Sequence, residues 1–202
     1  EFALGWHYFG LHQTTDGWVL REWAPNATAI YLVSEKNGWQ EDEAYAFSFK
    51  ADGQWELKLP ANALKHGDHY KLLIYWDAGR ASGFRIPAYA NYVVQDDDTK
   101  VFDAVVWQPR KPYEWKHRRP VAPKTPLIYE AHVGMASTEE KVASYKAFTK
   151  HILPRIKKLG YNTIQLMAVA EHPYYGSFGY HVANFFAPSS RFGTPDELKE
   201  LV

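Results

Sequence analysis

The sequence predicts two folded regions of different class: an antiparallel β-sandwich, then the opening of an α/β domain built on a parallel sheet. Three observations carry this. Between Gly17 and Trp76, short β-rich runs alternate with turn dipeptides. After Pro126 the apolar spacing changes to the helical period and back to a strand. Between the two, five of the 12 prolines fall from Pro109 to Pro126 and read as a stiff extended connector.

In the first region, strands are expected at residues 18–23, 29–33, 44–49, 54–59 and 69–76, each β-branched or aromatic in character. Asp16-Gly17, Asn37-Gly38, Asp52-Gly53 and Gly67-Asp68 punctuate them, each able to supply a positive φ. Regular turns at such spacing predict a small sandwich. The connector carries the basic run Lys116-His117-Arg118-Arg119, expected to face solvent.

In the second region, Leu127-Ile128-Tyr129 with Val133 reads as a buried strand. Val142, Tyr145, Phe148, Ile152, Ile156 and Leu159 recur at helical spacing. Pro154 should bend or split that helix, Lys157 and Lys158 suit its negative end, and Gly160 is placed to cap it. Residues 163–169 follow as a strand apolar on both faces, which completes a βαβ unit of a covered parallel sheet. Thr194-Pro195-Asp196-Glu197 then opens a second helix with N-cap, N1 proline and capping-box glutamate together, and Leu198, Leu201 and Val202 begin its apolar stripe. Two βα units cannot close a sheet, so the chain is expected to be the front part of a longer protein.

Composition narrows the function. At 202 residues and 46% hydrophobic the chain can bury a core and is not disordered. Lys+Arg and Asp+Glu balance at 23 each, which offers no broad attraction to nucleic acid or an acidic membrane. Cysteine is absent, excluding disulfide and thiolate chemistry and pointing to a cytoplasmic setting. No apolar run approaches the ~20 residues of a membrane span. Aromatics make up 16%, with 8 Trp and 14 Tyr, and amphipathic rings of this kind suit sugars, although many must serve the core. The aromatic and glycine-rich loop from Glu171 to Pro195 follows a strand, where α/β folds mount their chemistry. His132, His172, His181 and Glu171 match no metal-ligand spacing, so neither metal nor other cofactor is expected.

Several segments in order, Arg21-Glu22-Trp23-Ala24-Pro25, Tyr129-Glu130-Ala131-His132-Val133-Gly134-Met135, residues 153–162 and the loop from Glu171, resemble the α-1,4-glucan branching enzymes of glycoside hydrolase family 13. The resemblance covers essentially the whole chain. It implies an immunoglobulin-like β-sandwich carbohydrate-binding module of family 48 over 1–107, a Pro-rich linker over 108–125, and over 126–202 the first βαβα portion of a (β/α)8 TIM barrel. The implied reaction is retaining transfer of an α-1,4-glucan segment to a 6-hydroxyl, with an α-glucan and the remainder of the barrel as partners. Tyr180 matches the family tyrosine that stacks beneath the sugar whose bond is cut. Trp39, Leu11, His12 and Glu56 map onto the family's glucan-contacting surface. The catalytic nucleophile and acid are implied to lie beyond Val202, so Glu130, Glu139 and Glu171 are not nominated. One segment departs from the family, Ser34-Glu35-Lys36 replacing Gly-Asp-Phe before Asn37-Gly38-Trp39; His181 stands where some members have Gln, and His is also a family variant. A debranching hydrolase of the same superfamily and a non-catalytic glycogen-binding protein are the alternatives.

Overall fold

The computed structural model describes residues 2–117 and 120–202, so Arg118 and Arg119 of the basic run lie outside the described residues. The chain divides into two compact units, Glu1–Arg110 and Lys111–Val202. Each is described by itself.

The strands of the first unit are β1 (Gly10–Thr14), β2 (Gly17–Trp23), β3 (Ala27–Ser34), β4 (Ser48–Phe49), β5 (Gln54–Leu59), β6 (His69–Trp76), β7 (Ala81–Arg85), β8 (Val93–Gln95) and β9 (Phe102–Val105). They form an antiparallel sheet of order β1-β2-β5-β4 and a second of order β3-β6-β9-β8, with β7 also paired to β6. Alternation sends Trp18, Leu20, Trp55 and Leu57 of the first sheet, and Ile30, Leu32, Tyr70 and Leu72 of the second, into the core. Each such side chain contributes roughly 1.5–3 kcal/mol of apolar burial. The β1–β2 hairpin closes at Gly17, whose φ is 142° and where a Cβ would sit 2.2 Å from the Leu59 carbonyl oxygen. Only glycine fits there.

Four of the expected strands form close to their expected bounds, and the fifth is cut short. Asp42 accepts a hydrogen bond from Ala44 N at 2.9 Å and caps a 3-10 turn at Glu43–Tyr45, leaving only β4 of the expected 44–49 run. A short acidic side chain offers the backbone a local partner in place of the strand ladder.

Glu22, on the inward face of β2, is a buried carboxylate. It accepts from Trp23 N at 3.2 Å and from Ala88 N at 2.9 Å, tying β2 to the segment before β8. Burial pushes its carboxyl above the ordinary value of 4.5, and the two backbone N–H groups offset only part of that. A folded-state value raised above the unfolded one means that stability is lost as pH rises through the folded value. Glu22→Gln should therefore gain stability relative to the parent chain as pH rises from 4.5 toward neutrality. Paired urea titrations check this; a constant difference across that range would contradict it.

The second unit contains β10 (Ile128–Ala131), α1 (Tyr145–Ala147), α2 (Leu153–Lys158), β11 (Thr163–Leu166), β12 (Ala170–Glu171), β13 (Asn184–Pro188) and α3 (Pro195–Leu201). β10 and β11 are parallel, in register from Ile128↔Thr163 to Ala131↔Leu166. The helical segment between them starts where Ser144 accepts from Ala147 N, so Val142 stays outside it. Pro154 lacks an N–H and its ring would meet the carbonyl one turn back. The backbone responds by widening to a π-helical turn over Phe148–Ile152 and then resuming as α2, so the helix is adjusted and not broken. Gly160, at φ 94°, donates to Lys157 O as the expected cap. Thr194 and Glu197 form the expected capping box on α3.

Tyr145, Phe148, Ile156, Phe192 and Leu201 bury together with Ala131 and Val133. Helical cover reaches one side of the two-stranded sheet only. Leu127 and Ile128, expected to be buried, are consequently about half exposed, and β11 ends at Leu166, short of residue 169. Within the expected connector, Tyr113 Oη donates to Glu200 Oε2 at 3.0 Å and Lys116 pairs with the same carboxylate, so this stretch lies against α3. Among the described residues no helix is long and apolar enough to cross a membrane.

Candidate functional site

The loop of the second unit is more ordered than its composition suggests. It leaves β11 at the strand's C-terminal end, beside His132 at the end of β10. The antiparallel β12–β13 pair, which was not expected, closes its base. Glu171 is 1% exposed there. Its Oε1 accepts from His172 N at 3.0 Å, its Oε2 from Ser190 N at 2.6 Å, and its carbonyl from Ala183 N at 2.7 Å. A carboxylate satisfied on both oxygens by backbone N–H groups is a structural staple.

Tyr180 stands at the tip, 72% exposed, with its hydroxyl 3.8 Å from Met167 Sδ. It follows a tight turn in which Tyr180 N donates to Ser177 O at 3.0 Å across Phe178 at φ 54° and Gly179 at φ 82°. Two consecutive positive φ values define a type I′ turn. Gly179 has no alternative, since a Cβ would meet the Ala168 carbonyl oxygen at 2.7 Å. The result is a largely exposed tyrosine held at the C-terminal edge of a parallel strand pair.

The remaining nominated residues lie in the first unit and are not brought together. Leu11 pairs with inward-facing Leu20 and so points toward the core side of β1. His12 pairs with Val19 on the opposite face, and its ring nitrogen Nε2 donates to Phe9 O at 2.8 Å. Glu56 shares that outer face of the first sheet. Arg21 Nε donates to it at 2.8 Å, and Lys50 lies 3.4 Å away. Partial burial would raise the Glu56 carboxyl, but the bonds from Arg21 and Lys50 outweigh it and hold the group below its ordinary value. Glu56 is already engaged by cations.

Trp39 lies in the turn that follows β3, beside the other sheet. It sits at φ 61° after the left-handed Gly38, and Lys71 Nζ lies 5.1 Å from its ring centroid and 5.9 Å from that of Phe84. Asp103 Oδ1 anchors the same ammonium at 2.7 Å. One half-buried indole, one exposed phenyl ring and a tethered cation thus share the outer face around β6. Lys71, Phe84 and Asp103 carry no signal in the sequence beyond an outward position in the strand alternation. Among the described residues no group of three His, Cys, Asp or Glu could hold a metal ion.

Residues 8–90 match the family Carbohydrate-binding module 48 (Isoamylase N-terminal domain). The chain is 45% identical over 208 residues to the 1,4-alpha-glucan-branching enzyme of Equus caballus, and 47% identical over 209 residues to that of Aspergillus oryzae. Over its whole length the chain is similar to branching enzymes. Both alignments take in 100% of the chain, which spans 30% of each relative's length. The Arabidopsis thaliana 1,4-alpha-glucan-branching enzyme 2-2, chloroplastic/amyloplastic, is 44% identical, with 26% of its length covered. The fold also recurs in the pullulanase from Bacillus acidopullulyticus, at TM-score 0.74 and 22% identity, covering 96% of this chain and 27% of that one. The family 48 match falls within the first unit, and the branching-enzyme alignments extend through the loop carrying Tyr180.

Proposed function

We propose that this chain forms the N-terminal part of a glucan branching enzyme. In this reading, residues 1–107 bind α-glucan, 108–125 link, and 126–202 begin a (β/α)8 barrel. The observation that carries it is overall identity of 45% in an alignment that takes in the whole chain. The geometry supports it: a parallel strand pair presents an exposed ring at its C-terminal end, the end at which such barrels carry their active sites. The uncovered side of β10 supports continuation of the sheet and helices around it.

The reaction is cleavage of an α-1,4 bond and transfer of the freed segment to a 6-hydroxyl with retention. Retention calls for a nucleophilic carboxylate and a protonated acid about 5 Å apart, which the downstream barrel would supply. Tyr180 forms the floor of the cleavage subsite, its ring against the C–H face of the sugar. No cofactor enters this chemistry. A cytoplasmic setting remains the expectation. The test is incubation of the full-length protein with a linear α-1,4-glucan. New α-1,6 linkages without a matching rise in reducing ends are expected, whereas net release of reducing ends would indicate a hydrolase.

Within the first unit the proposed glucan surface centres on Trp39, with Lys71 and Phe84 beside it. Trp39→Ala should weaken binding of maltooligosaccharides about 10-fold, the loss of ~1.4 kcal/mol of ring contact. Titration calorimetry on the chain checks this. Binding that survives Trp39→Ala but is lost in Glu56→Ala would move the surface to the first sheet.

A further inference from the structure

Phe178 occupies a position that its side chain disfavours. The first central residue of a type I′ turn takes a positive φ and is ordinarily Asn, Asp or Gly. A bulky residue held there is strained and persists only where its surroundings fix it.

The fixing contact comes from the neighbouring strand. His132 is 7% exposed, directly after β10. Its Nδ1 accepts from Met135 N at 3.3 Å, which leaves the proton on Nε2, and Nε2–H donates to Phe178 O at 3.0 Å. The two rings also meet edge to face, with centroids 6.2 Å apart. On the far side of the turn, Gly179 packs on Ala168, and Ser177 Oγ accepts from Gly179 N at 3.3 Å. Tyr175 Oη, from the same loop, donates to Met135 Sδ at 3.3 Å. The loop is therefore pinned to the segment after β10 at two points, and the firmer of them bears on the strained residue two before Tyr180.

We propose that His132 is a positioning residue for the cleavage subsite: by holding the Phe178 carbonyl it keeps the type I′ turn formed and the Tyr180 ring at its working orientation. The inference rests on the reading of Tyr180 given above. It assigns a role to a histidine whose sequence context suggested none, and preorganisation of this kind is what keeps a substrate-facing ring within reach of productive geometry.

The two ring nitrogens allow a clean experiment. In the full-length enzyme, His132→Gln can place an amide N–H where Nε2 donates, and His132→Asn can place only an acceptor where Nδ1 accepts. Both variants lose the ring contact with Phe192, so a merely structural role predicts similar losses of thermal stability and of activity in the two. Positioning predicts that His132→Asn lowers kcat/KM for linear glucan on the order of 10-fold or more, whereas His132→Gln stays within about threefold of the parent. Amide exchange at Gly179 and Tyr180 should accelerate in His132→Asn alone. In a Tyr180→Ala background, His132→Asn should add no further loss, because both act through one contact. Equal activity of the Asn and Gln variants, with Tyr180→Ala impaired, would overturn the role of His132. Undiminished activity of Tyr180→Ala would instead overturn the reading of the subsite, and the exchange rates would still decide whether His132 locks the turn.

Discussion

Tyr180→Ala in the full-length enzyme should lower kcat/KM on a linear α-glucan on the order of 100-fold, a loss typical of a misplaced substrate. Folding should not suffer, since Tyr180 is 72% exposed and its hydroxyl contacts Met167 Sδ among the described residues. Tyr180→Phe keeps the ring face and should retain most activity, which separates stacking from any action of the hydroxyl. Steady-state kinetics together with a melting curve test both statements. An alanine variant with full turnover would remove Tyr180 from the subsite.

Glu171→Ala should destabilise the second unit by roughly 3–5 kcal/mol, combining two charge-assisted hydrogen bonds with a buried cavity. The acceptor for His172 N and Ser190 N disappears, and with it the closure of β12 on β13. Glu171→Gln is the informative partner. An amide oxygen can serve one of these N–H groups while its NH2 opposes the other, so a cost nearer ~1–3 kcal/mol is expected, with activity preserved at permissive temperature. A catalytic carboxylate would behave in the opposite way, folded but inactive as glutamine. Chemical denaturation set beside an activity assay distinguishes the two.

These expectations concern residues that the sequence presented unequally. Tyr180 was nominated because its neighbours form a motif, and the capping box at Thr194 was legible because all its parts lie within four consecutive residues. Strands β2, β5 and β6 were legible from alternation between turn dipeptides, a local signal. The 3-10 turn at Glu43–Tyr45 was missed because one aspartate side chain overrode a β-rich run, and β12–β13 because its two short strands are separated by the loop they close. The staple role of Glu171 has the same origin, since its partner Ser190 is distant in the chain.

By itself the sequence determined the class of each region and the likeness to branching enzymes, and it nominated Tyr180. These are properties of local periodicity and of contiguous motifs. Only the tertiary structure decided that Leu11 turns inward, that His12 and Glu56 lie on one sheet while Trp39 packs beside Lys71 of the other, that Phe84 joins that pair, and that His132 grips Phe178. Strand pairing and loop closure bring these residues together across long stretches of chain, and no local pattern encodes which side chains will then meet.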